Sequence, residues 1–327
     1  MSMYITGAKK VNGIFANING ETKKIVSAWA NKDGVATKVF SSGMKVFVTV
    51  SYSGEIYYSL DGLTWIFANE SIDSYERITY GKGRFVAAGV DGAYYSKDGK
   101  TWIAMSGLKD IMTKGVTYGN GRFVCVGSSG KSYYSTDGTS WTAMSKLDTS
   151  YSFRSVAYGN GRFVAVGDNA KSCYSDDGET WVTSNGLLGD KAYYSVTYGN
   201  GRFVAVGAMG NSCYSTDGKT WKVMSGLGES ITFRGVTYGN DKFVAVGDSG
   251  FSYRASATGN VWNSMSGLKS DNDYEAVTYA VGKFVTVSDK GDSCYSTDGK
   301  TWTAMNGLDS KTYYGVCYSI DGGYDNS

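Results

Sequence analysis

The sequence predicts an all-β fold: a seven-bladed β-propeller of four-stranded blades, closed by a C-terminal inner strand and preceded by a short N-terminal β-hairpin segment. Three observations carry that expectation. A tryptophan recurs about every 40 residues, each unit holds four short strand patterns, and the composition is rich in Gly (45) and Tyr (27) with no proline in 327 residues. Four-stranded units of this length, repeated roughly four to eight times, describe a propeller. No segment keeps a helical apolar period over two turns, so a helical solenoid is excluded.

Trp65, Trp102, Trp141, Trp181, Trp221, Trp262 and Trp302 lie 37, 39, 40, 40, 41 and 40 residues apart, and each closes a version of S-x-D-G-x-T-W. Residues 59–65 and 215–221 are complete copies; the sixth copy, 256–262, has lost its Asp. A second element, Y-G-N-G-R-F-V-A-V-G, precedes the box and stands intact at 158–167 and 198–207. Within one unit, residues 153–158 alternate as a first, inner strand. Gly159-Asn160-Gly161 is a tight turn needing positive φ, which Gly and Asn tolerate. Residues 162–167 are a continuous apolar run suited to burial on both faces. Residues 172–175 form a third strand, Asp177-Gly178 is a two-residue hairpin signal, and Thr180-Trp181-Val182 opens the fourth.

Second strands begin near Phe47, Phe85, Phe123, Phe163, Phe203, Phe243 and Phe284. Inner strands matching x-V-T-Y end at Tyr80, Tyr118, Tyr158, Tyr198, Tyr238, Tyr279 and Tyr318. The two sets of seven are out of register: the first lacks a good inner strand and the last inner strand lacks a partner. Circular closure resolves this. Residues 313–318 supply the inner strand of the blade begun by Phe47, which removes two exposed edges. Residues 36–40 are the alternative first inner strand, giving eight blades or an imperfectly closed ring.

The expected domains are a tandem hairpin adaptor, 1–40, and the propeller, 41–327. A 14-residue repeat aligns Phe15 with Trp29, Asn17 with Asn31, and Asn19-Gly20 with Asp33-Gly34. Each copy is a hairpin signal. Six lysines against Glu21 and Asp33 give the first 38 residues +4, leaving −2 on the remainder of a chain of net charge +2. Two small hairpins bury too little surface alone, so they are expected to pack on another surface.

Composition excludes several chemistries. There is no histidine, so Ser-His-Asp and Cys-His nucleophiles, histidine general bases and ordinary catalytic zinc sites are ruled out. Lys plus Arg (32) nearly balances Asp plus Glu (30), which argues against nucleic acid as a partner. No apolar run approaches a membrane span, so no membrane insertion is expected. The basic residues of MSMYITGAKK precede no apolar stretch, so no signal peptide is read there. Cys173, Cys213 and Cys294 occupy one place in three repeats, too far apart to bridge, and read as small buried residues. Each box offers one carboxylate, below the oxygen count that calcium takes, so neither metal nor cofactor is expected.

The S-x-D-G-x-T-W boxes resemble the Asp-box (BNR) repeats of sialidase-like propellers over roughly residues 45–320, although the family box usually has one more residue between Asp and Gly. The resemblance implies a structural turn: Ser and Asp bond the turn backbone and Trp packs between sheets. It implies no activity. The tandem Y-G-N-G-R-F-V-A-V-G and box units, with the Lys-rich N-G/D-G hairpins, also resemble segments of bacteriophage tail and receptor-binding proteins.

In the repeats, the Gly-Asn-Gly and Asp-Gly turns barely change. The turns expected on the opposite face do change: Ser128-Ser129, Asp168-Asn169, Ala208-Met209 and Asp248-Ser249, and the inter-blade links from Lys109, Gly189 and Lys269. Diversified turns mark that face for binding; tolerant loop drift is the competing explanation. Four residues before each inner-strand Tyr stand Glu76, Lys114, Arg154, Tyr194, Arg234, Glu275 and Tyr314. These seven are expected to ring the channel mouth, as a polar pocket whose aromatic faces stack on sugars while charges fix their substituents. A rim of self-paired charges is the competing reading. Arg84, Arg122, Arg162 and Arg202 lie in the invariant turn and read as structural.

The resulting expectation is a non-catalytic binding module. Following the resemblance, it is a phage tail or tail-like protein recognising a bacterial surface glycan or receptor, found in the virion or outside the cell. Residues 1–40 would engage other tail or baseplate proteins, and homo-oligomer formation is left open. The alternative is a structural or protein-binding propeller of a virion or cell-surface assembly. A sialidase-like glycosidase comes third: it needs two carboxylates, and among seven Glu only Glu76 and Glu275, flanking Tyr314, suggest a pair.

Overall fold

A computed structural model describes residues 45–319, apart from 72–73, 91, 106, 109–111, 145–146, 149 and 185, together with backbone strands between 14 and 41. The chain divides into two units, Met1–Lys45 and Val46–Ser327. In the first, Ile14–Ile18 pairs antiparallel with Glu21–Ile25, and Ser27–Lys32 with Val35–Ser41. These are the two expected hairpins; the turn pairs Asn19-Gly20 and Asp33-Gly34 lie outside the described residues. Because 36–40 pair with the strand just before them, they are not the inner strand of the first blade. The eight-bladed alternative falls with that pairing.

In the second unit the described residues form seven four-stranded antiparallel sheets. Blade 1 is Tyr313–Tyr318, Phe47–Ser51, Glu55–Ser59 and Ile66–Glu70. The inner strands of blades 2 to 7 are Tyr75–Gly81, Thr113–Gly119, Phe153–Gly159, Tyr193–Gly199, Phe233–Gly239 and Tyr274–Ala280. Each inner strand packs on the next, and Tyr313–Tyr318 touches the inner strands of both blade 7 and blade 2, so the ring closes. The seam is stitched from both strands. Ser319 N–H donates to the Val46 carbonyl, Val46 N–H to Ser319 Oγ, and Thr49 Oγ1 to the Gly315 carbonyl.

The repeat residues explain the packing. The second-strand Phe is fully buried at Phe47, Phe85, Phe123, Phe163, Phe243 and Phe284, and its ring meets the inner-strand Tyr of the same blade, as Tyr158 meets Phe163 at 4.7 Å. At five junctions, those of Tyr118, Tyr158, Tyr198, Tyr238 and Tyr279, that tyrosine also lies on the glycine ending the preceding inner strand. A Cβ on Gly159 would fall 2.0 Å from Tyr198 Cγ, so the Tyr-Gly pair is a steric requirement of blade stacking. The box tryptophans seal the outer rim between sheets. Trp65, Trp262 and Trp302 donate their indole N–H to Ser293, Ser212 and Ser252 of the preceding blade at 3.0–3.1 Å.

The box itself is a six-residue connection closed by side chains, since Ser172–Ser175 and Val182–Ser184 stop well short of Asp177-Gly178. The two-residue hairpin reading is thereby corrected: Asp caps the loop rather than sitting at its tip. Asp217 Oδ1 accepts the backbone N–H of Lys219 and Thr220 at 2.8 Å and the Ser215 hydroxyl at 2.9 Å. Ser215 Oγ in turn accepts the Gly218 N–H. The sixth box lacks the carboxylate, and Arg202 of blade 5 donates to the Ser256 and Gly259 carbonyls and to Asn260 Oδ1 in its stead.

Removing residues 311–327 takes away one inner strand and leaves Phe47–Ser51 unpaired on that side. The thermal melt of the truncated protein should fall sharply; a melt like that of the full chain would show that this strand is not the clasp.

Asp217→Ala should cost about 1–2 kcal/mol at neutral pH for the lost turn bonds. Partial burial pushes the Asp217 carboxyl up, but the N–H groups of Thr220 and Lys219 and the Ser215 hydroxyl outweigh it and hold the group at about 2, below its ordinary 3.8. A depressed carboxylate contributes stability that is present above pH 3.8 and lost as pH falls toward 2. Urea melts of wild type and variant should therefore converge on acidification through that window. A gap that persists at low pH would assign the loss to something other than the carboxylate.

Candidate binding face at the channel mouth

Every inner strand carries one extra residue near its start. Tyr75 pairs with Gly89 and Arg77 with Ala88, which leaves Glu76 as the bulged residue. The same shift isolates Lys114, Arg154, Tyr194, Arg234, Glu275 and Tyr314. The seven positions singled out by the repeat are thus the bulged residues of seven β-bulges. A bulge bends its strand and re-aims the extra side chain. The glycine opposite lets the bulged strand approach: a Cβ on Gly89, Gly167, Gly207 or Gly247 would fall 1.6–2.2 Å from the carbonyl just before the bulge.

The second turns share this face. Backbone bonds from Ala170, Gly210 and Gly250 to Lys191, Ile231 and Asn272 tie each turn to the link entering the next blade. The link 109–111 lies outside the described residues. Side chains from these turns reach the ring. Arg154 pairs with Asp168, and Arg234 with Asp248 and, at 3.4 Å each, with Asp273 and Glu275. Lys114 pairs with Glu76.

Neighbouring ring members combine two by two. Glu76 and Lys114 join blades 2 and 3. The Arg154 guanidinium lies 4.8 Å from the centre of the Tyr194 ring and joins blades 4 and 5. Arg234 and Glu275 join blades 6 and 7. An odd number of blades leaves Tyr314 over, and its ring packs edge-on against the half-exposed Tyr52 at 5.7 Å. The ring is therefore largely a self-paired network, the competing reading of the sequence. The expectation of free stacking faces needs correction at Tyr194, where Arg154 covers the ring.

Arg77 escaped the sequence reading. At its register the other blades carry Gly115, Ser155, Ser195, Gly235, Ala276 and Gly315. Inner strands crowd there: a Cβ on Gly115 would sit 2.9 Å from the Ser155 Cα. Gly115 and Gly315, on the two flanking strands, leave room for one long side chain. Arg77 donates to the Glu76 carbonyl at 2.7 Å and the Tyr314 carbonyl at 3.0 Å, and it senses the charges of Glu275 and Arg154 across the ring. The guanidinium thus stands among the ring residues, and the signal was a lone cation in a column of small residues.

Glu76 and Glu275 are buried at 8% and 7% exposure. Loss of water pushes the Glu275 carboxyl up to about 7, against the opposing pull of Arg234 and Arg77. The outer rim is apolar in places: Met112, Leu188, Met209 and Phe251 are all more than 40% exposed. Met209 has φ +55, a left-handed conformation that favours Gly or Asn. Among the described residues no group of three metal-ligating side chains converges.

The opposite face carries the invariant turns. Arg122 and Arg162 donate to the Asp177 and Asp217 carbonyls of the next box, which is structural cross-blade bonding.

No family model matches the chain, and no curated protein matches it. Solved structures do. YCF48 bound to a D1 peptide aligns with a TM-score of 0.59 at 15% identity, over 75% of this chain and 86% of that one. A nidogen/laminin complex aligns with a TM-score of 0.54 at 12% identity, over 84% of this chain and 98% of the other. At such identities the likeness shows the propeller fold.

A carboxyl whose folded value is raised contributes stability that is full below its ordinary 4.5 and is lost as pH rises to about 7. Glu275→Gln should abolish that decline and raise stability near pH 8 by on the order of 2 kcal/mol. Urea denaturation across this range checks it. A variant less stable than wild type near pH 8 would mean that Arg234 and Arg77 outweigh burial.

Proposed function

We propose that this chain is a non-catalytic binding module that takes its ligand over the bulge ring, as a phage tail or tail-like receptor-binding protein recognising a bacterial surface glycan. One observation carries the reading: seven bulges, built by an otherwise uniform repeat, present side chains of four different types (Glu, Lys, Arg and Tyr) at one mouth. A repeat under structural demand alone would fill equivalent bulges alike. Carboxylates and cations side by side suit hydroxyls and charged sugar substituents, and Tyr314 with Tyr52 offers an aromatic platform. Glu76 and Glu275 are each engaged by a cation, which supports binding over turnover. Residues 1–40, with their excess of lysine, would attach the propeller to other tail or baseplate proteins.

A protein partner is the second reading, favoured by the exposed Met209, Phe251, Leu188 and Met112 on the same rim. The two aligned structures, described as complexes with a peptide and with laminin, support it by analogy of fold.

A glycan-array screen of the purified chain tests the first reading. Tyr314→Ala should weaken a hit by roughly 1–3 kcal/mol, as for an anchoring aromatic. Glu76→Gln should keep or merely weaken affinity, because an amide still bonds a hydroxyl. Sugar release that Glu76→Gln and Glu275→Gln destroy would overturn the non-enzyme reading. Met209→Asn, which suits the left-handed backbone, should leave glycan binding intact; loss of a protein partner by that variant would favour the second reading.

A further inference from the structure

The repeat breaks most heavily in blade 6, and on the face opposite the mouth. Tyr58, Tyr95, Tyr134, Tyr174, Tyr214 and Tyr295 stand on third strands opposite an equivalent second-strand valine; in blade 6 the residue is Arg254, opposite Val244. In blades 2 to 5 and 7 a cation from the first turn lies over that tyrosine, as Arg122, Arg162 and Arg202 do at 4.8–5.3 Å. In blade 6 the cation is Lys242, paired opposite Ser256, so two positive groups share one face of the sheet where a cation and an aromatic ring belong.

Three further departures meet at the same place. Asp241 replaces the turn glycine of Gly83, Gly121, Gly161, Gly201 and Gly282, and it holds their left-handed backbone at φ +55. The sixth box has no carboxylate to offset the cations. Among the described residues Lys242 bonds only its own turn, at the Asn240 carbonyl, whereas Arg122, Arg162 and Lys283 bond the next box. Neither Lys242 nor Arg254 has an ion pair among the described residues, and Arg254 Nε is buried with no hydrogen-bond partner. Asp241, Lys242, Arg254, Asn260 and Asn263 line a cavity of about 340 Å³, at the small end of ligand sites.

Every one of these substitutions works against the local fold. Juxtaposed cations repel, an aspartate sits where glycine fits best, and a buried guanidinium nitrogen lacks an acceptor. An anionic ligand answers the first; the buried Nε is shared with Arg84 and Arg202 of other blades and does not point to a ligand. The aspartate narrows its class: a simple anion would be repelled by Asp241, whereas a sugar donates hydroxyls to a carboxylate and accepts from amides.

We propose that blade 6 carries a second ligand site for an acidic monosaccharide, whose carboxylate meets Arg254 and Lys242 and whose hydroxyls meet Asp241, Asn260 and Asn263. The site is independent of the channel mouth.

The test is calorimetric titration of the whole chain with glucuronic acid, glucose and acetate. Glucuronic acid should bind at least about tenfold more tightly than either comparator. Arg254→Tyr restores the residue of the other blades and should fold, yet weaken glucuronic acid by about tenfold or more. Asp241→Gly should raise the melting temperature while weakening the sugar. Tyr314→Ala should leave this binding unchanged, which separates it from any ligand at the mouth. Equal binding of glucuronic acid and glucose, or unchanged binding in Arg254→Tyr, overturns the proposal. Equal binding of acetate and glucuronic acid overturns its assignment to a sugar.

Discussion

The pairing of Tyr313–Tyr318 with Phe47–Ser51 is the contact on which the rest depends. A propeller blade is a four-stranded sheet whose two faces need partners, and each blade finds them only in its neighbours. In an open row the two end blades would leave tyrosine, phenylalanine and tryptophan surface wet. The seam supplies the missing neighbour by joining strands more than 260 residues apart in sequence, at Thr49 and Gly315 for example. Such a contact is entropically costly because a long loop must close before any reward follows. The blade-to-blade devices are graded to match. Tyrosine on glycine fixes the inner spacing at five junctions, and tryptophan on serine fixes the outer spacing at three.

Closure also creates the mouth. Seven inner strands forced around one axis crowd their backbones, and a strict alternation of side chains would aim one whole face into the crowd. Glycine, serine and alanine relieve the crowding at six blades, and at the seventh Arg77 occupies the space that its flanking glycines leave. The bulge relieves it one residue earlier by turning a side chain out of the ladder. The same steric constraint therefore yields both a closed axis and a ring of re-aimed side chains. Pairwise charge and cation–π matching ties most of those side chains to one another, and it fixes their geometry before any ligand arrives.

Much of this was legible from spacing alone. The tryptophan period gave the blade count, and the mismatch between first-blade and last-blade strands gave the seam, because a repeat makes missing pieces visible. The ring residues were found as the variable position in a constant frame. Their bulges were not, since the extra residue is present in every copy and leaves no irregularity in the period. The pairing of Arg154 with Asp168 and of Arg234 with Asp248 was equally hidden. It joins a strand start to a turn 14 residues later, and only the hairpin geometry brings those together. The Asp-Gly signal was misread as a tight hairpin because the dipeptide is common to both turns. The carboxylate's reach to backbone groups two and three residues on decides between them.

Repetition makes function easier to see because it supplies an internal control for every residue. In a single domain, a buried arginine or a left-handed methionine has no local reference, and its cost is hard to separate from the demands of packing. Here sister blades show what packing alone accepts at each register: glycine in the first turn of five, tyrosine on the third strand of six, a small residue at the axis of six. Departures scattered at random would be drift. Departures that converge in space, and that each oppose local preference, require an offsetting interaction, because marginal stability does not tolerate an accumulation of uncompensated costs. By that criterion the mouth and blade 6 are alike. Both concentrate charged groups, but the mouth satisfies most of its charges internally, whereas in blade 6 neither Lys242 nor Arg254 has an ion pair among the described residues, although Asp241 lines the same cavity.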